Sequence, residues 1–92
     1  MKIEFDPVKS EKNARERGLP FEMVEAFDWG TSQTYDDLRF PYPEPRKITF
    51  GFIGSRLHVI CHTPIEGGTR VISFRKANAR EVRKYEEKKA TH

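Results

Sequence analysis

Residues 46–77, RKITFGFIGSRLHVICHTPIEGGTRVISFRKA, carry the only sustained period-2 alternation in the chain and read as three antiparallel strands. Within this stretch Ile53, Gly54, Ser55 and Arg56 place a glycine at the head of a two-residue loop between β-rich runs, the signal of a type II′ hairpin. The turn sets the register. Ile53 opposite Arg56 brings Phe52 to Leu57, Phe50 to Val59 and Ile48 to Cys61, so one face is continuously apolar. The reverse face then carries Lys47, Thr49 and Gly51 beside His62, Ile60 and His58. The third strand is expected to bury Ile72 and Phe74, so that Val71, Ser73 and Arg75 join Lys47 and the two histidines on an open, basic face, which is the expected site.

Upstream, Ile3 and Phe5 alternate with polar neighbours and predict a short opening strand. Asp6 as N-cap, Pro7 at the first helical position and Gly18 beyond the end predict a helix between them, mostly polar and therefore on the surface. Leu19 and Pro20 open a second helix whose Phe21, Met23, Val24 and Phe27 form an inward stripe, closed by Trp29 and Gly30. TSQTY at 31–35 predicts an edge strand. DDLRFPYPEP at 36–45 has prolines at alternate positions, which forbid helix and remove ladder donors, so it predicts an extended loop. In that loop Phe40 and Tyr42 either stack on bases or pin the loop to the sheet, pinning being the commoner use of such aromatics.

After the strands, Asn78 and Glu81 form a capping box that starts a C-terminal helix running to about residue 88, with Val82 and Tyr85 inward and residues 88–92 frayed. The expected fold class is α+β: an antiparallel sheet with two N-terminal helices and a C-terminal helix packed on one face. At 92 residues the chain makes a single domain with one modest core.

The net charge of +3 hides a gradient. Residues 1–45 hold six Lys/Arg against ten Asp/Glu, and residues 70–92 hold eight against three. A cationic C-terminal region suits a nucleic-acid partner and equally an acidic protein. MKIEFDPV opens the sequence with acids inside the first six residues and no apolar run, so a cytoplasmic address is expected, without a membrane span or signal peptide. The lone Cys61 reads as a small core residue.

Metal chemistry has no constellation here. His58 and His62 lie four apart on one strand face, about 13 Å between Cα atoms, too far to share a zinc comfortably. Gly67 and Gly68 lack the lysine and following helix of a phosphate-binding loop. Cys61 and His62 point to opposite faces, which argues against a dyad. A face of Arg, Lys and His remains, the equipment for cleaving a phosphodiester without metal or cofactor: histidines move protons and arginines hold charge on phosphorus. His58 and His62 read alternatively as half-buried strand residues with backbone partners. Arg75, flanked by Phe74 and Ala77, needs a partner or a ligand.

The order MKIEFDPVKS, ARERGLPFE, AFDW, PEPRKITFG, RLHV and above all GTRVISFRKANAREVRKYE resembles the BrnT family of type II toxins over nearly the whole chain. The resemblance implies a RelE-like ribonuclease fold and an RNA-cleaving toxin that halts translation. It implies neutralisation by a BrnA-like ribbon-helix-helix antitoxin, in a heterotetramer that touches DNA only through the antitoxin and represses its own operon. Matching polar positions are Arg46, Arg70, Ser73, Arg75, Glu81 and Tyr85, while Arg17 stands where many relatives have histidine. The expected catalytic residues are therefore Arg46, Arg75, His58, His62 and Tyr85, and the expected RNA contacts Lys47, Arg70, Ser73, Lys76, Arg80 and Arg83. A non-catalytic RNA-binding or partner-binding module using the same basic face is the other class of reading.

Overall fold

The computed structural model describes residues 1–90; the last two positions of the segment expected to fray lie outside the described residues. Five strands form one sheet in the order β1-β5-β4-β3-β2, with β1 at Lys2–Phe5, β2 at Gln33–Asp36, β3 at Lys47–Ile53, β4 at Arg56–Ile65 and β5 at Gly68–Lys76. Every pairing is antiparallel except that of β1 with β5. The β3–β4 hairpin has the register its turn predicts, from Ile53 opposite Arg56 to Lys47 opposite His62. Gly54 takes φ +60° at the first turn position, a conformation costly for any residue with a Cβ.

Helix α1, Pro7–Arg17, begins where Asp6 accepts a hydrogen bond from the Val8 amide at 2.9 Å. The following segment, Phe21–Ala26, is a 3-10 helix and not the second α-helix that the apolar spacing suggests. Pro20 before it and the Phe27 amide bonded to the Val24 carbonyl at 3.0 Å confine it to tight i→i+3 turns. The Ser10 hydroxyl accepts from the Phe21 amide at 2.8 Å, tying this segment to α1. The C-terminal helix α2, Ala79–Ala90, starts with the predicted reciprocal pair: Glu81 N to Asn78 Oδ1 at 2.9 Å and Asn78 N to Glu81 Oε1 at 3.0 Å. Lys88 to Ala90 are helical and not frayed.

The helices cover both faces of the sheet, not one. On the first face α1 and the 3-10 segment bury Leu19, Phe21, Val24 and Phe27 against Ile60, Val71 and Phe74. Phe27 comes so close to the sheet that a Cβ at Gly51 would sit 2.4 Å from its ring. On the second face α2 packs Tyr85 and Val82 against Leu57, Val59, Phe50 and Phe52.

A bulge in β5 decides which side chains share a face. Cys61 pairs with Ser73 but His62 pairs with Val71, leaving Ile72 without a partner. Strict alternation would put Arg70 and Arg75, five residues apart, on opposite faces. The extra residue resets the alternation, so Arg70 (opposite Thr63), Ser73 (opposite Cys61) and Arg75 (opposite Val59) all fall on the second face. Val71 and Phe74 go to the first face, with the histidines.

Candidate active site

The basic face expected from the sequence divides in two. His58 and His62 belong to the first face, beneath the N-terminal segments, and are only 3% and 8% exposed. His58 donates Nδ1–H to the Arg56 carbonyl at 2.8 Å and packs on Phe74. His62 sits at the centre of a chain that crosses four strands. Thr69 gives its hydroxyl proton to the Thr63 carbonyl at 3.0 Å, so its oxygen accepts from His62 Nδ1 at 2.8 Å. With the ring neutral, His62 Nε2 accepts from Thr49 at 2.6 Å, and Thr49 from Thr34 at 2.9 Å. That order requires a neutral imidazole. Burial, with Lys47 nearby, pushes the His62 pKa down to about 4, and burial lowers that of His58. Both lie on the first face, opposite the face that carries Arg75.

Tyr85 is also placed in the core: it is buried, its ring meets Phe52 edge-on, and its hydroxyl donates to the Thr31 carbonyl at 2.6 Å. Lys47 pairs with Asp36 at the β2–β3 end. Lys76 is exposed opposite His58, on the first-face side of the register, and Arg80 and Arg83 are exposed on α2. Cys61 is only partly buried, on the second face.

What the second face gathers is a set of arginines, each held in place. Arg75 is gripped in fork geometry by Glu81, at 2.8 and 2.9 Å. The pairing holds the Glu81 carboxyl below its ordinary pKa and raises that of Arg75. Arg39 makes a second fork with Asp37, 2.8 Å on both arms, and reaches Cys61 Sγ at 4.0 Å. Since Cys61 is the register partner of Ser73, Arg39 approaches the strand two residues from Arg75, whose charge it opposes. The Asp37 side chain is 1% exposed, and the Arg39 hydrogen bonds lower its pKa to about 2. Arg70 bonds Glu4 at 3.1 Å across the β1–β5 pair and lies 3.8 Å from Glu44. Arg46 has no carboxylate partner among the described residues. Its guanidinium lies 4.1 Å over the Tyr42 ring, and its Nε is buried without a hydrogen bond.

Two hollows flank the set. One, about 520 Å³, is built by residues 36–46 and lined by Leu38, Phe40, Tyr42 and Arg46. The other, about 310 Å³, lies between β2, β3 and α2, with Phe50, Tyr35, Glu81 and Lys84 in its walls. Fixed guanidiniums beside a carboxylate can hold a phosphodiester and accept a proton next to it.

The sequence reading missed Arg39, Asp37 and Tyr42 as site residues. The available signal was Asp-x-Arg within a proline-stiffened loop, where a carboxylate two residues before a guanidinium can form a closed local fork.

Residues 5–81 match the family described as "Ribonuclease toxin, BrnT, of type II toxin-antitoxin system". The chain belongs to the BrnT family. It is thus a member of a ribonuclease toxin family, whose toxin-antitoxin setting implies a protein antitoxin and an RNA substrate. No curated protein and no solved structure matches it. The BrnT match takes in Arg39, Arg46, Arg70, Arg75 and Glu81 and ends before Tyr85.

Proposed function

We propose that this BrnT-family chain is an endoribonuclease toxin that cleaves RNA by metal-independent transesterification on the second sheet face, and so inhibits translation. Arg75, with Arg39 approaching the same strand, stabilises the charge that gathers on phosphorus. Glu81, a carboxylate at neutral pH and held in place by Arg75, accepts the 2′-hydroxyl proton. The 2′-oxygen forms its bond to phosphorus, the bond to the 5′-oxygen breaks, and solvent delivers a proton to the leaving 5′-oxygen. The products are a 2′,3′-cyclic phosphate and a 5′-hydroxyl. His58, His62 and Tyr85 take no part.

The observation that carries this reading is the Arg75–Glu81 fork, a fixed cation and an ionised carboxylate side by side on a rigid strand and helix start, within the BrnT match. The fold is taken as RelE-like and the setting as cytoplasmic. Among the described residues no helix is long and apolar enough to cross a membrane. Neutralisation is assigned to a BrnA-type ribbon-helix-helix antitoxin, in a heterotetramer that reaches DNA through the antitoxin. The test is cleavage of single-stranded RNA by the purified protein in excess EDTA, with end-group analysis; cyclic ends are expected. Activity that vanishes with chelator and returns with magnesium would overturn the metal-independent route.

A further inference from the structure

Phe40 does not pin its loop to the sheet. It is 67% exposed, and Leu38 two residues before it is 86% exposed, although residues 36–46 are otherwise firmly tied. The Asp37 amide bonds the Arg46 carbonyl at 2.8 Å, closing the loop at its base, and Thr63 donates to the Pro45 carbonyl at 2.5 Å. The Tyr42 amide bonds the Phe40 carbonyl at 2.9 Å around Pro41, a three-residue turn that leaves the Phe40 backbone little freedom. Asp37 accepts from Arg39 at both of its carboxylate oxygens. An apolar ring is therefore held out into solvent by a stiff, hydrogen-bonded frame.

From that ring a ladder leads inward. Phe40 meets Tyr42 edge-on at 5.8 Å between centroids, and Tyr42 carries the Arg46 guanidinium on its face at 4.1 Å. Arg46 is the guanidinium of the cluster with no carboxylate partner among the described residues, and its buried Nε is unbonded. The acids around the same hollow are each matched: Asp36 with Lys47, Asp37 with Arg39, and Glu44 with Arg70 at 3.8 Å. The hollow thus offers one open aromatic surface and one uncompensated cation, joined by a second ring.

We propose that residues 36–46 form a nucleotide subsite for single-stranded RNA, in which Phe40 stacks on a base and Arg46 takes an adjacent phosphate. The choice of RNA as ligand rests on the ribonuclease reading above. The chemistry of the hollow supports it directly: an exposed π-face serves any base, while an uncompensated guanidinium beside it selects a phosphate-bearing strand over an apolar peptide. Because stacking needs an unpaired base, the subsite favours loops and single strands over duplex. Phe40 is a specificity and positioning residue, set on the loop that also carries Arg39 and Arg46.

The experiment uses the full chain and non-cleavable 2′-O-methyl oligouridylate and oligoadenylate, so that binding is read apart from cleavage. Fluorescence anisotropy is measured for wild type, Phe40→Ala and Phe40→Tyr. Base–aromatic stacking predicts an affinity loss of about 5- to 150-fold for the alanine variant. Phe40→Tyr should retain binding, and the melting temperature should not move because the ring is mostly in solvent. Replacing the stacked nucleotide by an abasic one should weaken wild type by the same factor and leave Phe40→Ala unaffected. Equal affinity of Phe40→Ala and wild type would overturn the subsite, even in a protein that cleaves RNA normally. So would a variant that binds RNA normally but loses its antitoxin, which would make the ring a protein-docking residue. Wild type that binds through Phe40 yet never cleaves RNA would instead sink the ribonuclease reading and leave the subsite standing.

Discussion

Acidifying the protein from about pH 7.5 to about pH 5 should remove roughly 2 kcal/mol of folding stability through His62 alone. In the folded state the His62 pKa is lowered from 6.5 to about 4, by burial first and by Lys47 second. A histidine with a depressed folded pKa stabilises the protein where it is neutral in both states. Below about 6.5 the unfolded chain takes up a proton that the folded imidazole refuses, so stability falls with pH until the folded group also titrates near 4. Asp37 works in a separate window. Its pKa is depressed from 3.8 to about 2, so its contribution is intact above the upper value and is lost only as pH falls toward the lower one.

The assay is urea unfolding at the two pH values for wild type and His62→Gln. Glutamine can still donate toward Thr69 and accept from Thr49, but it does not titrate. Wild type should lose about 2 kcal/mol more than His62→Gln between the two conditions, which is about 2 M in urea midpoint at a slope near 1 kcal/mol/M. His58, also lowered, moves both proteins in the same direction and cancels in the comparison. An identical pH dependence in the two proteins would refute the reasoning. So would a His62 ring proton that titrates by NMR near 6.5.

Arg75→Ala should cut RNA cleavage by about a hundredfold or more while costing no more than about 1 kcal/mol of stability, since its ion pair is partly exposed. Arg75→Lys should fail nearly as badly, because an ammonium cannot reproduce the two-armed contact; full activity in either variant would remove Arg75 from the chemistry. Tyr85→Phe should lower stability by about 1 kcal/mol through loss of the bond to the Thr31 carbonyl and leave cleavage intact, measured by thermal melting and RNA turnover side by side. A stable but inactive Tyr85→Phe would return the hydroxyl to the catalytic set.

Local rules carried the sequence reading far. The type II′ turn at Gly54, the Asp6 cap and the Asn78–Glu81 box each depend on a few adjacent residues, and each appears as expected. The site did not follow, because its assembly turns on one residue without a partner. Ile72 bulges out of the β4–β5 ladder, and nothing in VISF announces an interruption, since a bulge is a property of a pair of strands and not of one. The parallel contact of β1 with β5 joins residues some 66 apart in sequence, beyond the reach of any hairpin rule. The second helix failed differently: its apolar spacing fits both an α-helix and two turns of 3-10, and the chain is extended again at Phe27, which leaves only the six residues Phe21–Ala26 for it.

The charge gradient along the sequence is also not a gradient in space. The acids of the N-terminal half fold back onto the arginines of the second face: Glu4 and Glu44 meet Arg70, and Asp37 meets Arg39. Of the cations counted in the C-terminal region, the two on the second face, Arg70 and Arg75, are thus matched locally, and that face attracts RNA at long range less than its count of arginines suggests. What the acids provide in exchange is position. A guanidinium in a two-armed contact with a carboxylate has few orientations left, so little ordering remains to be done when a phosphate arrives. Arg46 is the exception that makes the arrangement useful: it is oriented by the Tyr42 ring instead of a carboxylate, and so keeps its full charge for a ligand. On this face three arginines are held by acids and a fourth by an aromatic ring, and the fourth is where an incoming anion finds the least competition.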